Sequence, residues 1–138
     1  MIYVLDASAI LRFTDEEPGF ERIRGLLYDA AKGKTKLLLS AVNWGEIIAV
    51  LHKRDNRRAE SISRNLAALP IAIVPVDAIA AGEAGKFKCN FNVPYADAFA
   101  GSLAFSGLRS EQTTLITADY DFKNVPRAVM RIEFLPTK

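Results

Sequence analysis

The strongest constraint on the fold is a change of apolar period that repeats along the chain. Short apolar runs at 2–5, 36–40, 71–74, 114–117 and 131–135 alternate with longer stretches whose apolar residues recur every three or four positions. The short runs predict strands and the long ones helices. A short segment at 9–14 follows the first strand, and helices are expected through residue 30, over 42–54, 57–69 and 79–87, and from Pro94 to Leu108. Residues 123–128 are left as a connection or short helix. The punctuation agrees: Pro18 fits the first turn of a helix that Gly33 ends, Pro70 closes the 57–69 helix, and Pro75 forces a new start. Strand-helix alternation predicts an α/β three-layer domain, with a mostly parallel central sheet of four or five strands flanked by helices. At 138 residues, half of them hydrophobic, the chain suits one core, and residues 1–138 read as a single domain.

Several function classes are excluded or disfavoured. His52 is the only histidine and Cys89 the only cysteine, which rules out a Cys/His zinc site and an internal disulfide. The first run has no basic leader, and no 18-residue stretch is apolar and uncharged enough to span a bilayer, so a soluble, cytoplasmic protein is expected. There is no glycine-rich phosphate loop. Asp6-Ala7-Ser8 also lacks the second aspartate of an aspartyl-phosphate phosphatase.

The informative residues are carboxylates. Ile2-Tyr3-Val4-Leu5 leads into Asp6, and Thr114-Leu115-Ile116-Thr117-Ala118 leads into Asp119, with Asp121 two residues on. In an open parallel sheet ligands bind beyond the carboxyl ends of the strands, so both aspartates fall on the edge used for chemistry. Glu46 has Val42, Ala49 and Val50 as helical neighbours and needs a polar partner there. Asp97 stands in a first helical turn, where its charge is favourable, and Ala100 and Gly101 allow another element to approach closely. It can serve as a cap or face a metal. Carboxylates brought together repel unless protonated or neutralised, and a hard divalent cation resolves that conflict. With neither histidine nor thiolate in the set, Mg²⁺ is the fitting ion and Mn²⁺ is compatible. Asp6, Glu46, Asp97 and Asp119 are the candidate catalytic and metal residues. Asp121 is either a further ligand, the holder of a metal water, or the cap of the following turn.

These residues resemble those of PIN-domain proteins, and more specifically of VapC-type toxin ribonucleases. The pieces are Val4-Leu5-Asp6-Ala7-Ser8, Leu39-Ser40-Ala41-Val42-Asn43-Trp44-Gly45-Glu46, Ala96-Asp97-Ala98-Phe99-Ala100 and Leu115-Ile116-Thr117-Ala118-Asp119-Tyr120-Asp121-Phe122, in family order across the whole domain. The resemblance implies a single PIN-like nuclease domain over 1–138, requiring Mg²⁺ or Mn²⁺ and cutting RNA. It matches Asp6, Glu46, Asp97 and Asp119 to the acidic core and Asp121 to an additional acidic position. Ser8 and Thr117 match hydroxyl positions that orient carboxylates or metal waters, with a helix cap and a strand-end hydrogen bond as their plain alternatives. Two departures stand out. Pro94-Tyr95 replaces a serine and a small aliphatic residue, and Ala118 replaces a glycine, which is tolerable only at negative φ.

Setting the four core carboxylates aside leaves a formal charge of +6 on the rest of the chain. Lys53, Arg54 and Arg57, with Arg58 and Arg64 beyond them, are candidates for RNA phosphate contacts or plain solubility groups; Lys32, Lys34, Lys36, Lys86 and Lys88 lie elsewhere. Tyr95 and Tyr120 are candidates for stacking on a base, whereas Trp44, Phe99 and Phe105 suit core or rim packing. The resemblance also implies a homodimer and a cognate antitoxin, for which Phe20, Ile23, Leu27 and Ile62 are candidate interface positions. A catalytically weak or inactive RNA- or protein-binding module is the alternative.

Overall fold

A computed structural model describes residues 1–107 and 112–138. Strands β1 (Ile2–Leu5), β2 (Lys36–Ser40), β3 (Ala72–Val74), β4 (Thr113–Thr117) and β5 (Arg131–Phe134) form one sheet in the order β3-β2-β1-β4-β5. Every pairing is parallel, so the mostly parallel sheet expected from sequence is parallel throughout. Helices α1 (Ala7–Thr14), α2 (Phe20–Ala31), α3 (Ala41–Arg54), α4 (Asn56–Ala67), α5 (Ala78–Phe91) and α6 (Tyr95–Gly107) cover it.

Side chains of a strand alternate between faces, and the two cores divide accordingly. Leu5, Leu37, Leu39 and Ile116 pack with Ile10, Ile23, Leu26, Ile47, Leu51 and Leu66 of α1 to α4. Val4 and Leu115 point the other way, onto Phe87, Ala98, Phe99 and Ala104 of α5 and α6 and onto Phe122. Gly101 makes the second layer possible: a Cβ there would lie 2.5 Å from the Phe87 ring. The close approach expected at Gly101 is therefore made by α5.

Four helices begin on side-chain caps, with Asp6, Ser40, Asp55 and Asp77 each accepting from a backbone N–H of the first turn. Such caps are typically worth about 1 kcal/mol each. Gly33, at φ +74, ends α2 as expected. Pro18 does not sit in a first turn. Helix α2 starts at Phe20 behind Gly19, whose φ of +100 and whose packing against Leu135 both demand glycine. The Pro18 carbonyl instead accepts from the Arg12 guanidinium at 2.6 Å. Helix α1 starts two residues earlier than expected and α5 runs four residues beyond Phe87. The connection after β4 contains a 3₁₀ turn at Tyr120–Asn124 rather than at 123–128. Leu108, the expected end of α6, lies outside the described residues.

The interface candidates divide. Ile23 and Leu27 are buried in the core, because their face of α2 lies on the sheet, and only Phe20 and Ile62 keep partial exposure. Phe99 is buried, Trp44 packs half-buried against the first core, and Phe105 is exposed. Among the described residues no helix is long and apolar enough to cross a membrane.

Candidate metal centre

The sheet order reverses direction between β1 and β4, since the chain proceeds outward from β1 through β2 to β3 and then returns to the other side of β1. Ligand sites of open α/β sheets form at such a switch point. Register builds the site there. Leu5 pairs with Ile116, so the next residues, Asp6 and Thr117, come side by side. The Thr117 hydroxyl donates to Asp6 Oδ2 and itself accepts from the Asp119 N–H at 2.9 Å. Asp6 Oδ1 accepts from the Ser8 hydroxyl at 2.7 Å and from the Ala9 N–H at 2.9 Å. Ser8 in turn accepts from the Ala118 N–H at 2.9 Å, tying α1 to the end of β4.

Ser8 is therefore not a helix cap: it lies inside α1, whose cap is Asp6. Thr117 goes beyond a plain strand-end bond by donating to a buried carboxylate. Ala118 has no positive φ, so the missing glycine costs no strain.

Asp6 is 2% exposed. Burial pushes its carboxyl up to about 6, although the hydrogen bonds from Ser8, Thr117 and Ala9 hold it down; the charge of Asp119 adds to the rise. Its rigid cradle makes it the fixed point of the site.

Three other carboxylates converge more tightly. Asp97, Asp119 and Asp121 each offer an oxygen, and these oxygens lie within 4.8 Å of one another. Asp97 comes from the first turn of α6, where its Oδ2 is buried without a hydrogen-bond partner. Burial, then the charges of Asp119, Asp6 and Asp121, raise its carboxyl well above the usual range. Asp119 caps the 3₁₀ turn by accepting from the Asp121 N–H at 2.9 Å, and that cap folds Asp121 back toward the group. Asp121 is exposed, and its carboxyl is raised chiefly by the Asp119 charge. Asp121, whose role the sequence leaves open, thus stands inside the trio, while Asp6 and Glu46 stand outside it.

Glu46 finds the polar partner its apolar neighbourhood requires. The Asn43 amide, one helical turn earlier, donates to Glu46 Oε1 at 2.8 Å and to the Ala96 carbonyl at 3.1 Å. Asn43 stands in the matching piece around Glu46 but has no role assigned from sequence, where the signal is an amide three residues before an acid in an apolar helix.

The substrate candidates are spread out. Tyr95 is exposed and meets the Phe99 ring edge-on; Tyr120 stacks on Phe134 at 5.0 Å while its hydroxyl donates to the Leu135 carbonyl. Arg54 Nη1 donates to both carboxylate oxygens of Asp15 at 2.9 Å, and Arg54 lines a groove of about 200 Å³ with Ser8, Arg12, Asp15, Glu17, Ala118 and Lys138. Arg12 and Lys138 were not among the expected residues. Lys53 and Arg57 are exposed near the α3–α4 junction, away from that groove's lining.

Chemically, the charges of the trio repel one another, which raises the Asp97 and Asp121 carboxyls, and a cation relieves that repulsion. An oxygen-only donor set with one buried unpaired carboxylate oxygen fits a hard divalent cation such as Mg²⁺ or Mn²⁺.

Comparison with known proteins bears on the family and the fold. The family model for the PIN domain matches residues 3–128. Similar solved structures include VapBC2 from Rickettsia felis bound to a DNA fragment from its promoter, with a TM-score of 0.71 at 15% identity over 99% of this chain and 100% of that one. DNA-bound VapBC from Salmonella typhimurium gives 0.71 at 17% identity over 97% and 98%. A toxin-antitoxin complex from Klebsiella pneumoniae gives 0.62 at 15% identity over 90% and 92%. No curated protein matches the chain significantly in sequence.

Proposed function

The chain belongs to the PIN domain family, and on that premise we propose that it is a metal-dependent endoribonuclease, the toxin of a toxin-antitoxin pair. The observation that carries the reading is the convergence of Asp97, Asp119 and Asp121 within 4.8 Å at the switch point, with the Asp97 Oδ2 buried and unpaired. The structural likeness to VapBC and toxin-antitoxin complexes supports a cognate antitoxin as partner. A homodimer is part of the same proposal.

In this reading Asp97, Asp119 and Asp121 hold Mg²⁺ or Mn²⁺, with Asp6 and Glu46 completing the acidic set. When bound, such an ion polarises a phosphoryl oxygen and lowers the pKa of a water. The chain's own residues supply geometry. Ser8, Thr117 and the Ala9 N–H fix both oxygens of Asp6, so its charge is delivered at one place. Asp119 holds Asp121 through the 3₁₀ cap. Water adds to the phosphorus of the RNA backbone and the bond to the 3′ oxygen breaks. Arg54 and Lys138, beside Ser8 and Ala118, are the candidate phosphate contacts, and a phosphate there would replace the carboxylates of Asp15 and Glu17 that now pair with them; Lys53 and Arg57 stand further along. Tyr95 and Tyr120 are exposed beside the acidic residues in sequence and are the candidates for stacking on a base, Tyr120 with one ring face already on Phe134.

The test compares wild type with Asp6→Asn and Asp97→Asn on cellular RNA, in Mg²⁺, Mn²⁺ or EDTA, using folded, monodisperse protein. Cleavage by wild type alone, abolished by EDTA, is the expected result. Equal cleavage by all three proteins refutes the mechanism, and RNA binding without metal-dependent cleavage makes the chain a binding module.

A further inference from the structure

We infer that Asn43 is a positioning residue for the site, holding the Glu46 carboxylate against the first turn of α6 beside Asp97; the inference rests on the metal-dependent reading above. Asn43 is 1% exposed, and burying an amide is costly unless its hydrogen-bonding groups are used. Its two N–H donors are both spent, one on Glu46 Oε1 at 2.8 Å and one on the Ala96 carbonyl at 3.1 Å. Both partners are acceptors, so the amide's orientation is settled by chemistry: only the nitrogen can face them.

The two bonds join separate elements. Glu46 belongs to α3, and Ala96 is the residue immediately before Asp97 on α6. One nitrogen therefore places an α3 carboxylate oxygen and the α6 backbone within 3.1 Å of itself. Without it, Glu46 is a flexible side chain with three rotatable bonds and, among the described residues, no other side-chain hydrogen bond to α6. The asymmetry of satisfaction also points to the site. Among the described residues, the buried side-chain polar atoms without a hydrogen-bond partner are Asn43 Oδ1 and Asp97 Oδ2. Asn43 belongs to α3 and Asp97 to α6, so each side of the joint keeps one such atom. Outer-shell partners of this kind typically change metal affinity 10- to 100-fold when removed.

A simple staple between α3 and α6 would use the same amide, and a double-mutant cycle separates the two roles. Mn²⁺ binding to metal-free protein is followed by electron paramagnetic resonance for wild type, Asn43→Ala, Glu46→Ala and the double variant, with thermal midpoints recorded alongside. Loss of about tenfold or more in Mn²⁺ affinity is expected for Asn43→Ala in the wild-type background, and less than about twofold in the Glu46→Ala background. Asn43→Ser, which keeps one donor, is carried through the same cycle in case the alanine variant does not fold, and an intermediate loss is expected. Equal losses in both backgrounds overturn the inference in favour of the staple, and unchanged affinity overturns it outright. Wild type that binds no Mn²⁺ fails at an earlier step: it removes the metal reading itself, and this inference with it.

Discussion

Replacing Asp97 by Asn should make the metal-free protein more stable while removing a ligand of the proposed metal site. In the folded chain the Asp97 carboxyl lies within 4.8 Å of Asp119 and Asp121 and is partly buried. At that distance each like-charge pair costs about 3 kcal/mol for an effective dielectric of 20. Solvent around the exposed Asp121 screens much of this, and Asn forfeits roughly 0.5 kcal/mol of favourable interaction with the α6 N-terminus. A net gain of about 2 kcal/mol remains, or roughly 6–8 °C in Tm for a domain of this size. The pH dependence follows from the raised Asp97 carboxyl. Between its ordinary value of 3.8 and its higher folded value, the folded chain binds a proton that the unfolded chain has released. Wild-type stability in EDTA therefore falls as pH rises from about 4 through the neutral range, and Asp97→Asn lacks that component. Thermal melts in EDTA at pH 4 and pH 8 should show a small gap at the lower pH and the full gap at the higher. Saturating Mn²⁺ should reverse the order, since a ligand at 100 times its Kd stabilises wild type by about 2.7 kcal/mol. Asp97→Asn no more stable than wild type in EDTA at pH 8 would refute the repulsion argument.

Two further predictions concern the supports of the site. Thr117→Val removes the hydroxyl that donates to Asp6 Oδ2, so the Asp6 carboxyl should titrate above its value of about 6 in carbon-detected NMR. Stability at neutral pH should fall by about 1.5–3 kcal/mol, the usual range for a hydrogen bond to a charged group; an unmoved titration contradicts the assignment. Gly101→Ala places a methyl 2.5 Å from the buried Phe87 ring and should cost about 1–3 kcal/mol in urea unfolding. Phe87→Leu should recover part of that loss, and an undiminished urea midpoint for Gly101→Ala would show that α5 yields freely.

What could be read in the sequence was whatever depends on period and on residues adjacent in the chain. Strand ends at Leu5 and Thr117 are visible because apolar runs stop there, and their location at the switch point follows from parallel topology. The interior of the site was less legible because it depends on backbone turns and on contacts between distant elements. Asp121 enters the trio through the cap that Asp119 makes on the 3₁₀ turn, which two letters of spacing do not specify. Asn43 is chemically informative only once α6 has been laid across α3, bringing the Ala96 carbonyl to its amide. The same ambiguity sent Ile23 and Leu27 to an interface: an apolar helical stripe reads alike whether it meets the sheet or a partner.

Register is the level at which fold and site become one problem. Leu5 pairs with Ile116 in one core, Val4 with Leu115 in the other, and the next step brings Asp6 to Thr117. A slip of one residue between β1 and β4 would turn the β4 side chains to the wrong faces and take the Thr117 hydroxyl from Asp6. The apolar pattern that forbids the slip thereby also sets the carboxylate. The placement of Asp6 is consequently as stable as the core itself, whereas the trio, built from a first helical turn and a capped 3₁₀ turn, depends on shorter-range contacts. Mutations in the strands should therefore disturb stability and site together, and mutations in the two turns should disturb the site first.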